Sequence, residues 1–166
     1  TGNIIGITGA LLYILFHGIA KAGLFLCAGI IEQNTHTKDI TKLGGLITSM
    51  PLTAFSFLIC AFSVMGVPPM GGFFSKYLVF QGAIQAKEYW ITGVFLLGAF
   101  LTIIYLFRVF MMVFLGEVKV FGKERSALMV YSVLFLAILS FLGGIFINYP
   151  ANFAEVAARQ ALGANK

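Results

Sequence analysis

The chain has 166 residues, 60% of them hydrophobic and only 10% charged, with 18 phenylalanines and a net charge of +5. Soluble domains carry about 25% charged residues, so this composition excludes one and specifies an integral membrane protein in contact with the lipid bilayer. The positive charge is spread over polar segments with no basic block, which excludes nucleic acid as a partner.

In chain order, the sequence opens on T-G-N-I-I-G-I, already inside an apolar run and without the charged n-region or cleavage site of a signal peptide. It reads as the C-terminal piece of a longer polypeptide. Residues 4–31 form a first span, longer than the roughly 20 residues a hydrocarbon core requires. Tyr13, His17 and Lys21 are spaced four apart and share one helical face. Residues 32–42 form a polar connection in which His36 is read as solvated.

Residues 46–86 are mostly apolar, and one uninterrupted helix of that length would run to about 60 Å, twice what a bilayer needs. The stretch M-G-V-P-P-M-G-G-F-F-S-K from Met65 to Lys76 interrupts it. Pro68 and Pro69 lack the N–H donor and crowd the preceding turn, and Gly66, Gly71 and Gly72 weaken the helix further. The break at Gly66–Gly72 makes the region either one discontinuous helix that crosses once or a hairpin of two short spans. Pro51 falls in the first turn, where proline is tolerated.

After a turn at 86–89, a third span covers residues 90–115, with Trp90 as an interfacial anchor. Arg108 lies about two turns from its far end, with Tyr105 and Thr102 on its approximate face. A charged loop at 117–125 precedes a fourth span over residues 127–149, which Pro150 ends. The expectation is an all-α protein with about four crossings in residues 1–150, followed by a tail, 151–166, that forms a short interfacial helix.

Loop charges orient the chain. If the broken helix crosses once, Lys38, Lys42, Lys119, Lys123 and Arg125 lie on one side, against Lys87, Arg159 and Lys166. Loops 32–45 and 116–126 are then cytoplasmic. The hairpin alternative leaves no clear bias, so the single crossing is preferred.

Two lysines carry the chemistry. Lys21 sits near mid-membrane, where desolvation disfavours its charged form and suits it to losing and regaining a proton. His17 titrates near neutrality, and Tyr13 supports both in a hydrogen-bonded relay completed by water. Lys76 follows the break by one turn, with Ser75 and carbonyls released around Val67 to Met70 available to solvate its ammonium. Backbone freed at depth is tolerated only inside protein or in a wet cavity, and an intramembrane charge marks a functional site. The competing reading is a pair of permanently charged lysines that fix helix packing. Arg108 stays protonated and is read as an anchor.

Every carboxylate (Glu32, Asp39, Glu88, Glu117, Glu124, Glu155) falls outside the predicted spans. Counter-charges for the lysines must come from chain outside this sequence or from other membrane subunits. Cys27 and Cys60 lie in apolar runs with no ligand neighbour, so no metal site is indicated. Neither a phosphate-binding nor a dinucleotide motif nor a nucleophile elbow is present, and no cofactor is expected.

Together, H-G-I-A-K-A-G-L-F-L-C-A-G (residues 17–29), L-G-G-L-I-T-S-M-P (43–51) and G-V-P-P-M-G-G-F-F-S-K (66–76) resemble one family. It comprises the antiporter-like membrane subunits of respiratory complex I, of Mrp-type cation/proton antiporters, and of related membrane-bound hydrogenases and formate hydrogenlyases. The resemblance covers residues 13–117. It implies that Lys21 is the central-axis lysine, that His17 assists it, and that the break lies in a helix crossing once. Lys76 then matches a lysine or glutamate near the outlet of the proton path. Tyr13 stands where some members carry a second histidine.

The function so implied is that of a non-redox, proton-translocating subunit of an NADH-quinone oxidoreductase-type complex, in a bacterial, archaeal or organellar inner membrane. The alternatives are a subunit of a Mrp-type sodium/proton antiporter, with sodium as a second cargo, and a structural membrane subunit with fixed ion pairs.

Overall fold

A computed structural model describes residues 2–163. Thr1 and residues 164–166 of the tail lie outside them, including Lys166, which was counted above for orientation. The described residues form six α-helices: α1 (Ile4–Thr35), α2 (Pro51–Met65), α3 (Gly71–Gln85), α4 (Tyr89–Phe114), α5 (Ala127–Ile145) and α6 (Asn148–Ala161). Short 3-10 turns cover Ile40–Lys42 and Leu46–Thr48.

Helix α1 is the post around which the others stand. Its 32 residues span about 48 Å at 1.5 Å per residue. Asn3 caps its start, with Oδ1 accepting the Gly6 N–H at 2.7 Å while Nδ2 donates to the Gly82 carbonyl at 2.8 Å. The helix passes the expected end at Ile31 and stops at Thr35. His36 adopts a left-handed conformation, φ 55°, and returns its N–H to the Glu32 carbonyl. It caps the helix through its backbone while the residue itself stays exposed, as expected of a solvated histidine.

Small residues on α1 record how its neighbours run. From one end to the other, Gly6 meets Gly82, Gly9 meets Leu78 and Val79, Phe16 meets Gly71, and Gly23 meets Cys60. Near the far end, the Cys27 thiol reaches the Thr53 carbonyl at 3.6 Å. As α1 ascends, its partner descends without reversal through α3 and then α2. The two halves therefore stack end to end as one discontinuous helix, and the hairpin is excluded, because it would bring Pro51 and Gln85 to one level. Each half has 15 residues, about 22 Å, and neither alone spans a core of about 30 Å.

A second column follows the same course. Gly29 approaches Met129, Gly23 approaches Leu136, and the Phe16 ring meets Gly143. Past a turn at Phe146 and Ile147, Ala154 of α6 packs against Leu12. The expectation that Pro150 ends the fourth span is corrected here: α5 stops at Ile145, and Pro150 is the third residue of α6. Its missing N–H is harmless in a first turn. The tail helix therefore begins at Asn148 and is seated on α1 through Ala154 and Ala158.

The outermost helix is α4. Only Leu106, Phe110, Val113 and Phe114 are buried in it; Phe110 stacks on Phe57 of α2, and Phe114 meets the same ring at a tilt. Helices α1, α4 and α5 are each long and apolar enough to cross a membrane, and the α2–α3 column completes four crossings. The connections 36–50 and 115–126 meet at one end of the bundle. There Gly45 N–H donates to the Leu115 carbonyl at 3.1 Å, and Lys119 Nζ donates to the Thr41 carbonyl at 2.9 Å. In the same connection the Thr41 hydroxyl and N–H hold the exposed Asp39 carboxyl below its ordinary range. Glu124 accepts both the N–H (2.7 Å) and the hydroxyl (2.9 Å) of Thr53. It caps the first turn of α2, where Met50 offers no side-chain cap.

Candidate functional site

The break and the lysine beyond it form one chemical unit. In an α-helix the carbonyl of residue i accepts the N–H of residue i+4. The partners of Val64 and Met65 would be residues 68 and 69, both prolines without an N–H. Two carbonyls at the end of α2 are thus left open by the sequence itself. Lys76 fills them, donating from Nζ to Val64 at 2.8 Å and to Met65 at 3.1 Å, with only 7% of the residue exposed. A cation on the C-terminal carbonyls of a helix also complements its dipole.

Glycines make this approach possible. Gly66 turns the chain with φ 85°, and the Lys76 stem passes 3.0 Å from the place its Cβ would occupy. A Cβ on Gly72 would fall on the Ser63 carbonyl, and one on Gly144 would fall on that of Pro69. The carbonyls expected at the ammonium, Val67 to Met70, are engaged differently. Val67 accepts the Met70 N–H, and Met70 accepts that of Phe73. The releasing effect of a proline acts four residues upstream. Ser75 is fully buried, but its hydroxyl donates to Gly72 within its own helix.

On the α1 face, Tyr13, His17 and Lys21 do lie together. Tyr13 and His17 stack at 5.0 Å with 25° between their planes, which is a ring contact and not the expected hydrogen bond. Lys21 donates to the Tyr105 hydroxyl at 3.4 Å and lies 5.9 Å from the centre of that ring. Tyr105 is therefore a site residue that sequence reasoning placed only beside Arg108. The signal for it was a hydroxyl midway along an apolar helix.

His17 lies one helical turn before Lys21 on α1. Arg108 is exposed on α4 and has no ion-pair partner among the described residues. The described ion pairs, Glu32–Lys38, Asp39–Lys42 and Glu155–Arg159, involve neither Lys21 nor Lys76.

An ammonium has three N–H donors. Two of those on Lys76 are committed to the break, leaving one to exchange with water or a neighbouring base. A neutral amine would still carry two N–H donors, as many as the carbonyls of Val64 and Met65 accept.

Over residues 1–102 the sequence matches the family described as NADH:quinone oxidoreductase/Mrp antiporter, TM. It is 41% identical over 115 residues to a Na(+)/H(+) antiporter subunit from Alkalihalophilus pseudofirmus, covering 69% of this chain and 23% of that protein. It is 37% identical over 108 residues to an NADH-quinone oxidoreductase subunit from Desulforudis audaxviator, covering 65% of this chain and 22% of that protein. Another NADH-quinone oxidoreductase subunit, from Mycobacterium tuberculosis, is 36% identical over 84% of this chain and 24% of its own length. The chain thus spans under a quarter of the length of these curated relatives. In fold it matches a chain of the Mrp complex from Dietzia sp. with a TM-score of 0.92 at 22% identity, covering 98% of this chain and 39% of that one.

Proposed function

Because the chain belongs to the NADH:quinone oxidoreductase/Mrp antiporter membrane family, we propose that it is the part of a proton-translocating subunit that passes protons between Lys21 and Lys76 by way of His17. The observation that carries this reading is Lys76, buried at the break on two carbonyls that Pro68 and Pro69 leave open. A permanently fixed ion pair would need a carboxylate beside the ammonium. Here the partners are neutral carbonyls, which stabilise the cation without forbidding its loss.

Other membrane subunits supply the driving force. In an NADH-quinone oxidoreductase-type complex, quinone reduction changes the charge of a neighbouring pair and so the direction in which the lysines release protons. The second reading, a Mrp-type antiporter that exchanges sodium for protons, is favoured by the 41% identity to a Na(+)/H(+) antiporter protein.

The test is NADH-driven acidification of inverted membrane vesicles containing the full-length protein, comparing wild type with Lys21→Met at equal assembly. The redox-driven reading expects acidification that the substitution abolishes. If NADH drives no acidification dependent on this subunit but an imposed sodium gradient does, the antiporter reading replaces it. Wild-type transport by Lys21→Met in both assays would leave Lys21 as a packing residue.

A further inference from the structure

Helices α1 and α4 run side by side and then part. The Tyr13 ring meets Phe95 edge-on, with 6.0 Å between ring centres, and two turns later Lys21 reaches the Tyr105 hydroxyl. Beyond that contact α4 leans onto Phe57 of α2 through Phe110 and Phe114, and a groove of about 500 Å3 opens between α4 and α1. Phe25 and Ala28 of α1 line one wall, Val109 and Val113 of α4 the other, and Phe57 lies between them. The volume suits one small ligand. Lys21, Phe25, Ala28 and Glu32 follow one another along a single stripe of α1, so the groove runs from the Lys21–Tyr105 contact to an ion pair.

That ion pair, Glu32 with Lys38 at 3.2 Å, is shared by two cavities. On its other side lies a more polar pocket of about 450 Å3, lined by Gln33 and His36, and Glu32, Thr37 and Lys38 border both. Glu32 stands about one turn past the contact of Cys27 with Thr53, at the level where α2 begins. For a column that crosses the bilayer once, this is the level of the lipid headgroups. An apolar slot that passes over a charged rim into a polar pocket has the polarity profile of a phospholipid.

The signs at the rim narrow the headgroup. Basic pockets select anionic lipids, but this rim offers one carboxylate and one ammonium. A headgroup with a phosphate alone is repelled by Glu32, whereas one that carries both charges satisfies each side. The pair is free to receive it: the two side chains are 49% and 79% exposed, and such exposed pairs contribute little to stability. A primary ammonium also donates charge-assisted hydrogen bonds to a carboxylate, which a quaternary one cannot. The Thr37 hydroxyl accepts the Asp39 N–H and keeps its own proton for a phosphate oxygen.

We infer that this groove binds phosphatidylethanolamine, with one acyl chain between α1 and α4, the phosphate on Lys38 and the ammonium on Glu32. The chain fills the gap immediately beyond Lys21, so the lipid sets the spacing of the two helices that hold Lys21 against Tyr105.

Brominated lipids quench tryptophan on contact and so report the occupant. Full-length protein carrying Phe25→Trp, with Trp90 and every other tryptophan replaced by phenylalanine, is reconstituted in vesicles of phosphatidylethanolamine, phosphatidylglycerol and phosphatidylcholine at equal mole fractions. One lipid is brominated at a time. The expected result is an affinity for phosphatidylethanolamine about tenfold above that for either other lipid, the effect of about 1.4 kcal/mol. Glu32→Gln should abolish this preference, and Lys42→Gln, outside the groove, should keep it.

Equal quenching by the three lipids would mean contact with bulk bilayer and no site. Stronger quenching by phosphatidylglycerol would make the site one for anionic lipid, and no quenching by any would mean that protein, from chain beyond this sequence or another subunit, fills the groove. Each of these overturns the inference, as does a preference that survives Glu32→Gln. The readout requires no transport and stands whether or not Lys21 and Lys76 carry protons.

Discussion

Two helical columns run antiparallel to α1, both are interrupted at the level of Phe16, and only one of the interruptions carries a charge. In the α5–α6 column the turn closes on itself: the Phe146 N–H returns to Leu142 and the Tyr149 N–H to Phe146. In the α2–α3 column consecutive prolines leave two carbonyls open, and a lysine from the next half-helix takes them. An interruption alone redirects a helix. An interruption that withholds two successive N–H groups makes a seat for a cation, and the second column serves as its wall through Gly143 and Gly144.

Substitutions that break the packing of the two columns should have the largest effect. Gly72→Ala and Gly144→Ala each drive a methyl onto a carbonyl oxygen of the opposing segment, and each is expected to cost more than about 3 kcal/mol and to prevent assembly. Gly98→Ala, whose Cβ meets open space, should be neutral or slightly stabilising. Thermal unfolding of the detergent-solubilised full-length protein separates the two outcomes.

Next come the prolines, which differ between the columns. Pro69→Ala restores an N–H to compete with Lys76 for the Met65 carbonyl, so transport should fall about tenfold, equivalent to about 1.4 kcal/mol, while folding is retained. Pro150→Ala, in a first turn, should change stability by less than about 0.5 kcal/mol. Flux and melting temperature measured on both variants test this contrast.

Smaller effects belong to the groups that hold the columns in place. Glu124→Ala removes the cap on α2 and should cost about 1 kcal/mol, read as a lowered melting temperature without loss of transport in the assembled fraction. Tyr105→Phe removes one hydroxyl from Lys21, a bond worth about 0.5–1.5 kcal/mol, and should reduce flux only severalfold.

How much of this was legible beforehand depended on how local each cause is. Proline and glycine act on their own backbone, so the break and its single crossing could be read from Gly66 to Gly72 and from the loop charges. The helical period likewise put Tyr13, His17 and Lys21 on one face. The carbonyls under Lys76 were misplaced because the prolines themselves mark the break, whereas their effect appears at Val64 and Met65. Contacts between distant segments left no local trace. Tyr105 reaches Lys21 across 84 positions and Glu124 reaches Thr53 across 71, and such pairings depend on helix rotation that periodicity in a uniformly apolar helix cannot fix. Pro150 was misread because a proline marks a helix start as readily as an end.

The central claim is that the ammonium at the break takes part in transport, and Lys76→Met tests it most directly. Full-length protein carrying this substitution would be assembled to the wild-type level in membrane vesicles, and its proton flux measured under the driving force that operates the wild type. The account predicts a loss of at least about a hundredfold in correctly assembled protein. Wild-type flux from assembled Lys76→Met would contradict it and reduce the break to a feature of packing.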